Sequence, residues 1–290
     1  MSSSPLNRVA IIGSPRKHHP PPPGIHNTIS VSFSDIPGLT AALKKHAIQF
    51  LIITLSVTAP PSTHSNIVTA ASAAGVSYVM PNVYSGDIYD EALRQEDLHS
   101  GGAYARCLEV QETGNSAYIA LCCGFWFEWS LALGEACFGI DIKNRRVVFF
   151  DDGRTRITTS TWPQCGRAVA GLLALPEEEI AKRFANKPLF VGSFSVSQRE
   201  MVDAVHRVLG TGDGDWEVRY EDSKERYQKG AMYTRTFFPN GGGDFETSRG
   251  LHNEVVGLQK EDLDEAVKRA VEMVERGWTP GDGYEDVAVN

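Results

Sequence analysis

The sequence contains no run of about 18 consecutive apolar residues, the length that a helix needs to cross a bilayer, so no membrane span is predicted. Residues 1–7 also lack the basic and apolar regions of a secretory signal. An excess of basic charge is absent too, since 28 Lys and Arg stand against 36 Asp and Glu and give a formal net charge of -8. Such a charge disfavours nucleic acids and anionic membrane surfaces as partners. We therefore expect a cytoplasmic protein without a membrane or nucleic-acid partner.

Cysteine is scarce, and its pattern excludes two further classes of protein. The chain of 290 residues has five cysteines, an odd number without paired metal-ligand spacing, and four of the five lie in apolar surroundings. This pattern favours reduced, buried thiols over a disulfide framework or a metal site. A chain of this length can form one large or two moderate domains with enough hydrophobic core to be stable without disulfide bonds.

The most informative stretch is residues 50–82, which predict a strand, a helix and a second strand. Residues 50–55 form a short apolar run rich in β-branched side chains, which is typical of a strand buried on both faces. Residues 64–74 have apolar spacings of 3 and 4 and are followed by Gly75, a helix stop signal. Residues 76–80 then predict a second buried strand. A strand, helix and strand in this order indicate a parallel crossover unit.

Crossover units of this kind build doubly wound sheets, which bind ligands beyond the carboxyl ends of their strands. In this sequence those positions are Leu55, Ser56 and Val57 after the first strand, and Pro81 and Asn82 after the second. These two loops are therefore the first candidate positions for a ligand-binding site.

An earlier strand over residues 8–13 ends at Gly13, as a dinucleotide-binding domain usually begins, but the glycine-rich turn and helix that should follow are missing. Four successive prolines at 20–23 cannot lie inside a helix. Residues 15–28 are too few for a helix, a strand and two loops before the next predicted strand, Ile29 to Phe33. The first crossover helix and the second strand are thus predicted to be absent. Their replacement is either an exposed polyproline linker or a phosphate grip made by Arg16 and Lys17.

The middle of the chain combines an unusual aromatic block with antiparallel strands. A buried strand over 117–124 is followed by Phe125, Trp126, Phe127 and Trp129, which form either a core cluster or the apolar wall of a pocket for a planar substrate. Glu128 among them either orients a ligand or faces solvent. Residues 139–142 and 146–150 flank a turn, and Asp152-Gly153 predicts a tight hairpin to 156–158. The last third mixes helices and strands. Ser197 and Glu200 predict a capping box at the start of one helix, and the last predicted helix spans 263–274.

These segments together resemble a known family. The segments that carry the likeness are the first strand with Gly13, residues 70–76, 79–84, 124–132, 138–141 and 151–155. From residue 8 onward the chain resembles the NmrA-like, isoflavone-reductase-like branch of the atypical short-chain dehydrogenases, and its middle third is similar to fungal members.

The resemblance implies an α/β fold, in which a Rossmann-like doubly wound parallel sheet is joined to a smaller α+β carboxyl-terminal substrate domain. The NAD(P)-binding domain would span residues 1–135, incomplete at 14–28, with the chain crossing back near 155–175, and residues 136–290 would mostly bind substrate. The implied activity is NADP- or NAD-dependent reduction of a C=C or C=O bond in a small phenolic or other secondary metabolite. The cofactor carries that chemistry and the protein positions it.

Carried over to this sequence, the family's sites fall on residues of both predicted domains. Trp126 and Trp129 would form the substrate wall, no metal is implied, and no catalytic residue can be assigned. The implied cofactor contacts are Gly13, Ser14, Arg16, Leu55, Ser56, Val57, Pro81, Asn82, Tyr84, Gly124 and Phe125.

The sequence also departs from the family at its catalytic lysine, which is expected near a predicted helix at 101–112. No lysine occurs from residue 46 to 142. Arg106 lies in that region, but its guanidinium stays charged and cannot exchange a proton as a tuned lysine can. Arg106 is interpreted as a solvated helix charge, and Tyr104 is an alternative donor.

Three hypotheses therefore remain open. The first is a reductase with impaired activity and weak or lost NADP binding. The second is a non-catalytic NmrA-like protein that senses a nucleotide or binds a partner. The third is that a truncation or splicing error at residues 14–28 removed the crossover of an ordinary enzyme.

Overall fold

A computed structural model describes residues 5–13, 24, 26–56, 59–96 and 98–280. The strands are β1 Val9–Gly13, β2 Phe50–Thr54, β3 Tyr78–Met80, β4 Tyr84–Ser85, β5 Ala117–Cys122, β6 Phe125–Trp126, β7 Ile140–Asp141, β8 Arg146–Phe150, β9 Arg156–Ser160, β10 Lys187–Phe190, β11 Phe194–Ser197 and β12 Glu217–Glu221.

Helices connect these strands throughout the part of the chain that is described. They are α1 Ile36–Lys45, α2 Pro61–Ala74, α3 Glu91–Glu96, α4 Leu98–Glu112, α5 Phe127–Ala132, α6 Glu135–Phe138, α7 Trp162–Ala174, α8 Glu177–Phe184, α9 Gln198–Leu209, α10 Ser223–Gln228, α11 Phe245–Arg249 and α12 Leu263–Glu275, with short 3-10 helices at Asp213–Asp215 and Met232–Phe237.

The chain divides into two compact units, each built from several segments. The first unit comprises Met1–Tyr84, Leu98–Leu121 and Leu172–Leu189. The second unit comprises Ser85–Asp97, Cys122–Gly171 and Phe190–Asn290.

A six-stranded sheet in the order β1-β2-β3-β5-β10, with β4 paired to β5, gives the predicted α/β class. The pairs β1–β2, β2–β3 and β3–β5 are all parallel. Four of the five residues of β2 are buried, as the apolar run at this position predicts. The parallel sheet of the predicted Rossmann-like fold is therefore confirmed.

The predicted crossover between β2 and β3 is confirmed as helix α2. It begins earlier than predicted, at Pro61, because proline at the first helical position has a suitable φ and no N–H to satisfy. It packs Ile67, Val68 and Ala71 inward. It ends at Gly75, which has a φ of 78° and donates its N–H to the carbonyls of the last turn.

Two predicted features of the backbone are wrong. Residues Ile29 to Phe33 form no strand, and Ile29 is 51% exposed. Asp152-Gly153 does not turn β8 into a hairpin with β9. Strand β8 instead pairs with β7 and β12, whereas β9 pairs with β11 and β6 in a separate three-stranded sheet. A two-residue turn signal specifies a change of direction but does not select the partner strand.

The second unit has a continuous apolar core of its own. Helix α12 packs against α5 and α9, and buried side chains from these helices meet β8 and the short helices around it. The capping box predicted at Ser197 and Glu200 begins α9, and the predicted carboxyl-terminal helix is α12. Phe127 and Phe138 lie at the centre of this core.

All five cysteines are free thiols, and four of them are buried. Burial raises the pKa of Cys107 and of Cys137 to about 12, so neither is a thiolate near neutral pH. In the part of the chain that is described, no helix is long and apolar enough to cross a bilayer. The same residues include no group of three or more side chains that could hold a metal ion.

Candidate cofactor site

The carboxyl ends of the first two strands meet at Gly13. Gly13 pairs with Thr54, the last residue of β2. A Cβ added at Gly13 would lie 2.6 Å from the carbonyl oxygen of Thr54 and 2.5 Å from its hydroxyl oxygen. Glycine is therefore required here by the close approach of the neighbouring strand, which accounts for the residue without invoking a ligand.

Asn82 joins the ends of β2 and β3. Its side-chain amide donates from Nδ2 to the Leu55 carbonyl at 3.1 Å and accepts at Oδ1 from the Leu55 N–H, also at 3.1 Å. One amide thus satisfies both backbone groups of the residue that follows β2. The two predicted ligand loops are thereby held to each other by side-chain hydrogen bonds.

Tyr84 and Arg106 strengthen the same region. The Tyr84 hydroxyl donates to the carbonyl of Ile53 at 2.8 Å. Arg106, on α4, donates from a terminal guanidinium nitrogen to the carbonyl of Asn82 at 2.9 Å. The interpretation of Arg106 as a solvated helix charge is therefore wrong, because its side chain reaches back from α4 and holds the backbone after β3.

A buried imidazole from the first turn of α2 contacts α4 one helical turn beyond Arg106. His64, which is 3% exposed, contacts Glu109 with 2.6 Å between Nδ1 and Oε2, and its Nε2 has no hydrogen-bond partner among the described residues. Burial lowers the pKa of His64, an effect that Glu109 opposes and Arg106 reinforces. The imidazole is therefore neutral at pH 7, and Glu109 fixes its orientation.

Gly124 holds together two segments of the second unit. Its φ is +66°, and an added Cβ would lie 2.0 Å from the carbonyl oxygen of Thr158 in β9. The N–H groups of Cys123 and Gly124 both donate to the carbonyl of Ser85, at 2.9 and 3.0 Å. Gly124 therefore lies in close contact with both Thr158 and Ser85, immediately before β6 begins.

The aromatic block that follows divides between core and surface. Phe127 is fully buried, and Phe125 packs against the core with its ring centroid 5.3 Å from that of Phe138. Trp126 is half-buried and contacts Trp129 and Trp162, with centroid separations of 6.3 and 6.4 Å. The core interpretation therefore holds fully for Phe127 alone. Phe125, Trp126 and Trp129 are each partly exposed, although Phe125 and Trp129 also pack against the core.

Glu128 occupies a different environment from either predicted alternative. It is 0% exposed, lies 2.9 Å from Arg269 of α12, and accepts the Trp162 N–H at 3.2 Å. Burial raises the pKa of Glu128, while Arg269 and the Trp162 N–H oppose the rise. Glu128 does not face solvent, and these two partners occupy its carboxylate.

The structure thus brings some of the predicted cofactor residues together. In the first unit, Gly13, Leu55, Asn82 and Tyr84 all contact the end of β2, beside the short loops that carry Ser56 and Pro81. Gly124, Phe125, Trp126 and Trp129 are neighbours in the second unit. Three predicted positions, Ser14, Arg16 and Val57, lie outside the described residues.

The contacts of His64, Arg106 and Glu109 were not predicted from the sequence. Arg106 and Glu109 are three residues apart on α4, so they share one face of that helix. The spacing of Arg106 and Glu109, together with a histidine in the first turn of α2, was the sequence pattern that could have indicated these contacts.

Replacing Asn82 by alanine tests whether this clamp holds the two loops. The variant loses a donor and an acceptor and leaves both backbone groups of Leu55 without these partners, so we expect unfolding to become about 1 to 3 kcal/mol easier. Asn115→Ala is the matched control, because the exposed Asn115 makes one hydrogen bond to Ser72, and its loss should cost below about 0.5 kcal/mol. Chemical denaturation measures both, and equal effects would contradict the clamp.

Comparison with known sequences finds no family model that matches the chain. Among characterised proteins, the chain is 21% identical to the oxidoreductase aprR of Aspergillus flavus over 236 residues, which cover 76% of each protein. It is 22% identical to the oxidoreductase poxI of Penicillium oxalicum over 184 residues. That second match covers 57% of this chain and spans about half of the relative, 55%.

Three solved structures with the same fold come from work on reductases. An isoflavone reductase superposes with a TM-score of 0.67 over 90% of both chains at 16% identity. A structure from a study of pinoresinol-lariciresinol and phenylcoumaran benzylic ether reductases gives 0.65 at 14% identity, over 82% of this chain and 80% of that one. A leucoanthocyanidin reductase from Vitis vinifera in binary complex with NADPH gives 0.57 at 13% identity, over 83% and 80%. At these identities the likeness establishes the Rossmann-like fold.

Proposed function

We propose that the chain is an NADP-dependent reductase, with NAD as the alternative cofactor, that reduces a C=C or C=O bond of a small phenolic or other secondary metabolite. The observation that carries the proposal is the organised edge of the parallel sheet, where Asn82 holds together the two loops after β2 and β3. In doubly wound sheets this edge is where ligands bind. The NADPH-bound structure with the same fold and the relatives named as oxidoreductases add support.

The described residues fit a nicotinamide dinucleotide in two respects. The backbone around Leu55 and Asn82 is fixed by side-chain hydrogen bonds, so it requires little reorganisation on binding. Helix α2, 14 residues long, begins without a side-chain cap, which leaves the positive end of its dipole available to an anion. When bound, the cofactor supplies the hydride.

The roles of individual residues follow from this proposal. We assign cofactor contacts to Gly13, Ser56 and Pro81 in addition to Leu55 and Asn82. Residues 1–135 would carry the cofactor and residues 136–290 would mostly bind substrate.

Further contacts are assigned to residues beyond the clamp. Tyr84, Gly124 and Phe125 would complete the cofactor contacts, and the exposed parts of Trp126 and Trp129 would contact the substrate. The two fungal relatives support a fungal-type member of the isoflavone-reductase-like family. The five thiols without a disulfide support the cytoplasm as its location.

A non-catalytic nucleotide-sensing role is the second candidate, and Arg106 is the observation that favours it. Helix α4 contains no lysine, and the guanidinium of Arg106 donates a hydrogen bond to the Asn82 carbonyl. A guanidinium does not release a proton at working pH. The chain would then bind the nucleotide without turning it over.

Calorimetric titration with NADPH, followed by NADPH oxidation assays on phenolic enones and quinones, tests the proposal. We expect weak binding, with a dissociation constant of about 10 to 100 μM, and slow turnover of at least one acceptor. Binding without turnover of any acceptor would support the sensing role. No heat of binding at about 1 mM NADPH would contradict both roles.

A further inference from the structure

A polar pocket of about 260 Å³ lies within the second unit, and its lining residues are distinct from the proposed cofactor and substrate contacts. Arg156 at the start of β9, Ser195 in β11 and Ser193 in the loop before β11 line one part of it. Glu246 of α11 and residues of the segment 251–261, between α11 and α12, also line it. Pockets for drug-sized molecules typically have volumes of about 300 Å³ or more, so this pocket suits a smaller ligand.

Side-chain hydrogen bonds fix the backbone around this pocket. The amide of Asn253 donates from Nδ2 to the Gly192 carbonyl at 2.7 Å and accepts the Gly192 N–H at Oδ1, at 3.2 Å. Arg156 donates to the carbonyl of Ser195 and to the carboxylate of Glu200, the latter at 2.7 Å. The pocket is therefore formed before a ligand binds, which lowers the cost of ordering it on binding.

Two of the charged lining residues already have partners within the protein. Glu261 accepts from the guanidinium of Arg167 at 2.5 Å and from the hydroxyl of Thr161 at 2.7 Å, and its side chain is 15% exposed. Arg156 is paired with Glu200. These two charges are compensated inside the protein and do not require a charged ligand.

Two lining residues of opposite charge remain uncompensated. Lys260 and Glu246 are both exposed, and neither side chain makes an ion pair or hydrogen bond with any residue in the described part of the chain, including each other. Leu251 is the one apolar side chain of the lining, and the uncharged residues beside it are glycine, serine, asparagine and glutamine. A ligand that enters the pocket therefore meets one free cation, one free anion and neutral polar groups.

This combination favours a small zwitterion. A phosphate or a simple carboxylate would attract Lys260 but be repelled by Glu246, and an amine without an anionic group would meet the reverse. An apolar molecule would leave the polar groups of the lining without partners.

We propose that the pocket binds a free α-amino acid with a short polar side chain. The carboxylate of the amino acid contacts Lys260, its ammonium group contacts Glu246, and its side chain forms hydrogen bonds with Asn253 or Gln259. The inference does not depend on the proposed reductase activity, because no residue of this pocket is a proposed contact of the cofactor or the substrate.

Titration with L-glutamine, followed by ligand-observed NMR, tests the proposal. We expect a dissociation constant of about 0.1 to 5 mM that rises with salt, because the two free charges are exposed. N-acetyl-L-glutamine lacks the ammonium group and L-glutaminamide lacks the carboxylate, and each should bind at least about tenfold more weakly. Equal binding by either analogue, or no saturable binding of L-glutamine up to about 20 mM, would overturn the proposal.

Two variants of the protein assign the two charges of the ligand. Lys260→Gln should weaken binding of L-glutamine by about tenfold but leave binding of L-glutaminamide unchanged, because that analogue has no carboxylate to lose a contact. Glu246→Gln should weaken binding of L-glutamine but not of N-acetyl-L-glutamine, for the corresponding reason. Lys224→Gln is the matched control, since Lys224 is exposed on α10 and does not line the pocket. Equal weakening of L-glutamine binding by Lys224→Gln and Lys260→Gln would overturn the assignment.

Discussion

Replacing Arg269 by methionine is expected to lower the free energy of unfolding by about 3 to 5 kcal/mol, the usual cost of leaving one member of a buried ion pair unpaired. Glu128 has no exposed surface, and Arg269 is the only cation that the described residues place in hydrogen-bond contact with it. Methionine keeps much of the packing volume but cannot donate. The carboxylate would keep the hydrogen bond that it accepts from the Trp162 N–H, at 3.2 Å.

The loss should depend on pH in a direction set by Glu128. Burial raises the pKa of Glu128 above its ordinary value of 4.5 in the folded protein, and removing Arg269 raises it further. Between the unfolded and folded pKa values the native state binds more protons, so stability is highest below the unfolded value and is lost as pH rises through the folded one. The deficit of Arg269→Met relative to the parent should therefore be smaller at about pH 5 than at about pH 8.

Two further variants separate the ion pair from general effects on α12. Glu128→Gln combined with Arg269→Met should recover part of the lost stability, because no unpaired charge then remains buried. Arg207→Met removes the partner of Asp264, an ion pair at the start of the same helix whose side chains are 55% and 35% exposed. That change should cost below about 1 kcal/mol. Equal losses for Arg269→Met and Arg207→Met in urea unfolding would contradict the assignment.

The parts of the fold that sequence predicts are those specified by local patterns. The apolar run of β2, the helical spacing of α2 and the stop at Gly75 agree with one another, and the structure contains all three. The capping box at Ser197 is equally local, since its two partners are three residues apart. Each feature depends on neighbouring residues alone.

Contacts between distant residues are what the sequence does not reveal. The hydrogen bonds of Asn82 reach Leu55, 27 residues away, and the ion pair of Glu128 reaches Arg269, 141 residues away. Asn82 was placed in the candidate site by its position after a strand, but its side-chain role depends on which strand lies beside it. The same reason explains the error at Asp152-Gly153, where the turn is local but the pairing of β9 with β11 is not.

Gly124→Ala is the second substitution for which we expect a large effect, about 3 kcal/mol or more of lost stability. A left-handed backbone conformation costs a residue with a side chain roughly 1 to 2 kcal/mol, and the φ of Gly124 is +66°. The new methyl group would also lie 2.0 Å from the Thr158 carbonyl oxygen. Because that oxygen belongs to the backbone of β9, no side-chain rotation can relieve the overlap, and such overpacking adds about 1 to 3 kcal/mol.

Gly166→Ala is the matched control for this change, since Gly166 lies inside α7 and an added Cβ would meet nothing within 4 Å. Alanine there should stabilise the protein by about 0.5 to 1 kcal/mol, because it restricts the unfolded chain. Thermal unfolding distinguishes the two, with opposite shifts in Tm expected. Since Phe125 of β6 pairs with Thr159 beside the overlap, the Gly124 variant should also alter the fluorescence of Trp126, the next residue in that strand. An unchanged Tm and spectrum would show that β9 shifts to accommodate the methyl group. The contact between Gly124 and Thr158 would then not determine the positions of Trp126 and Trp129.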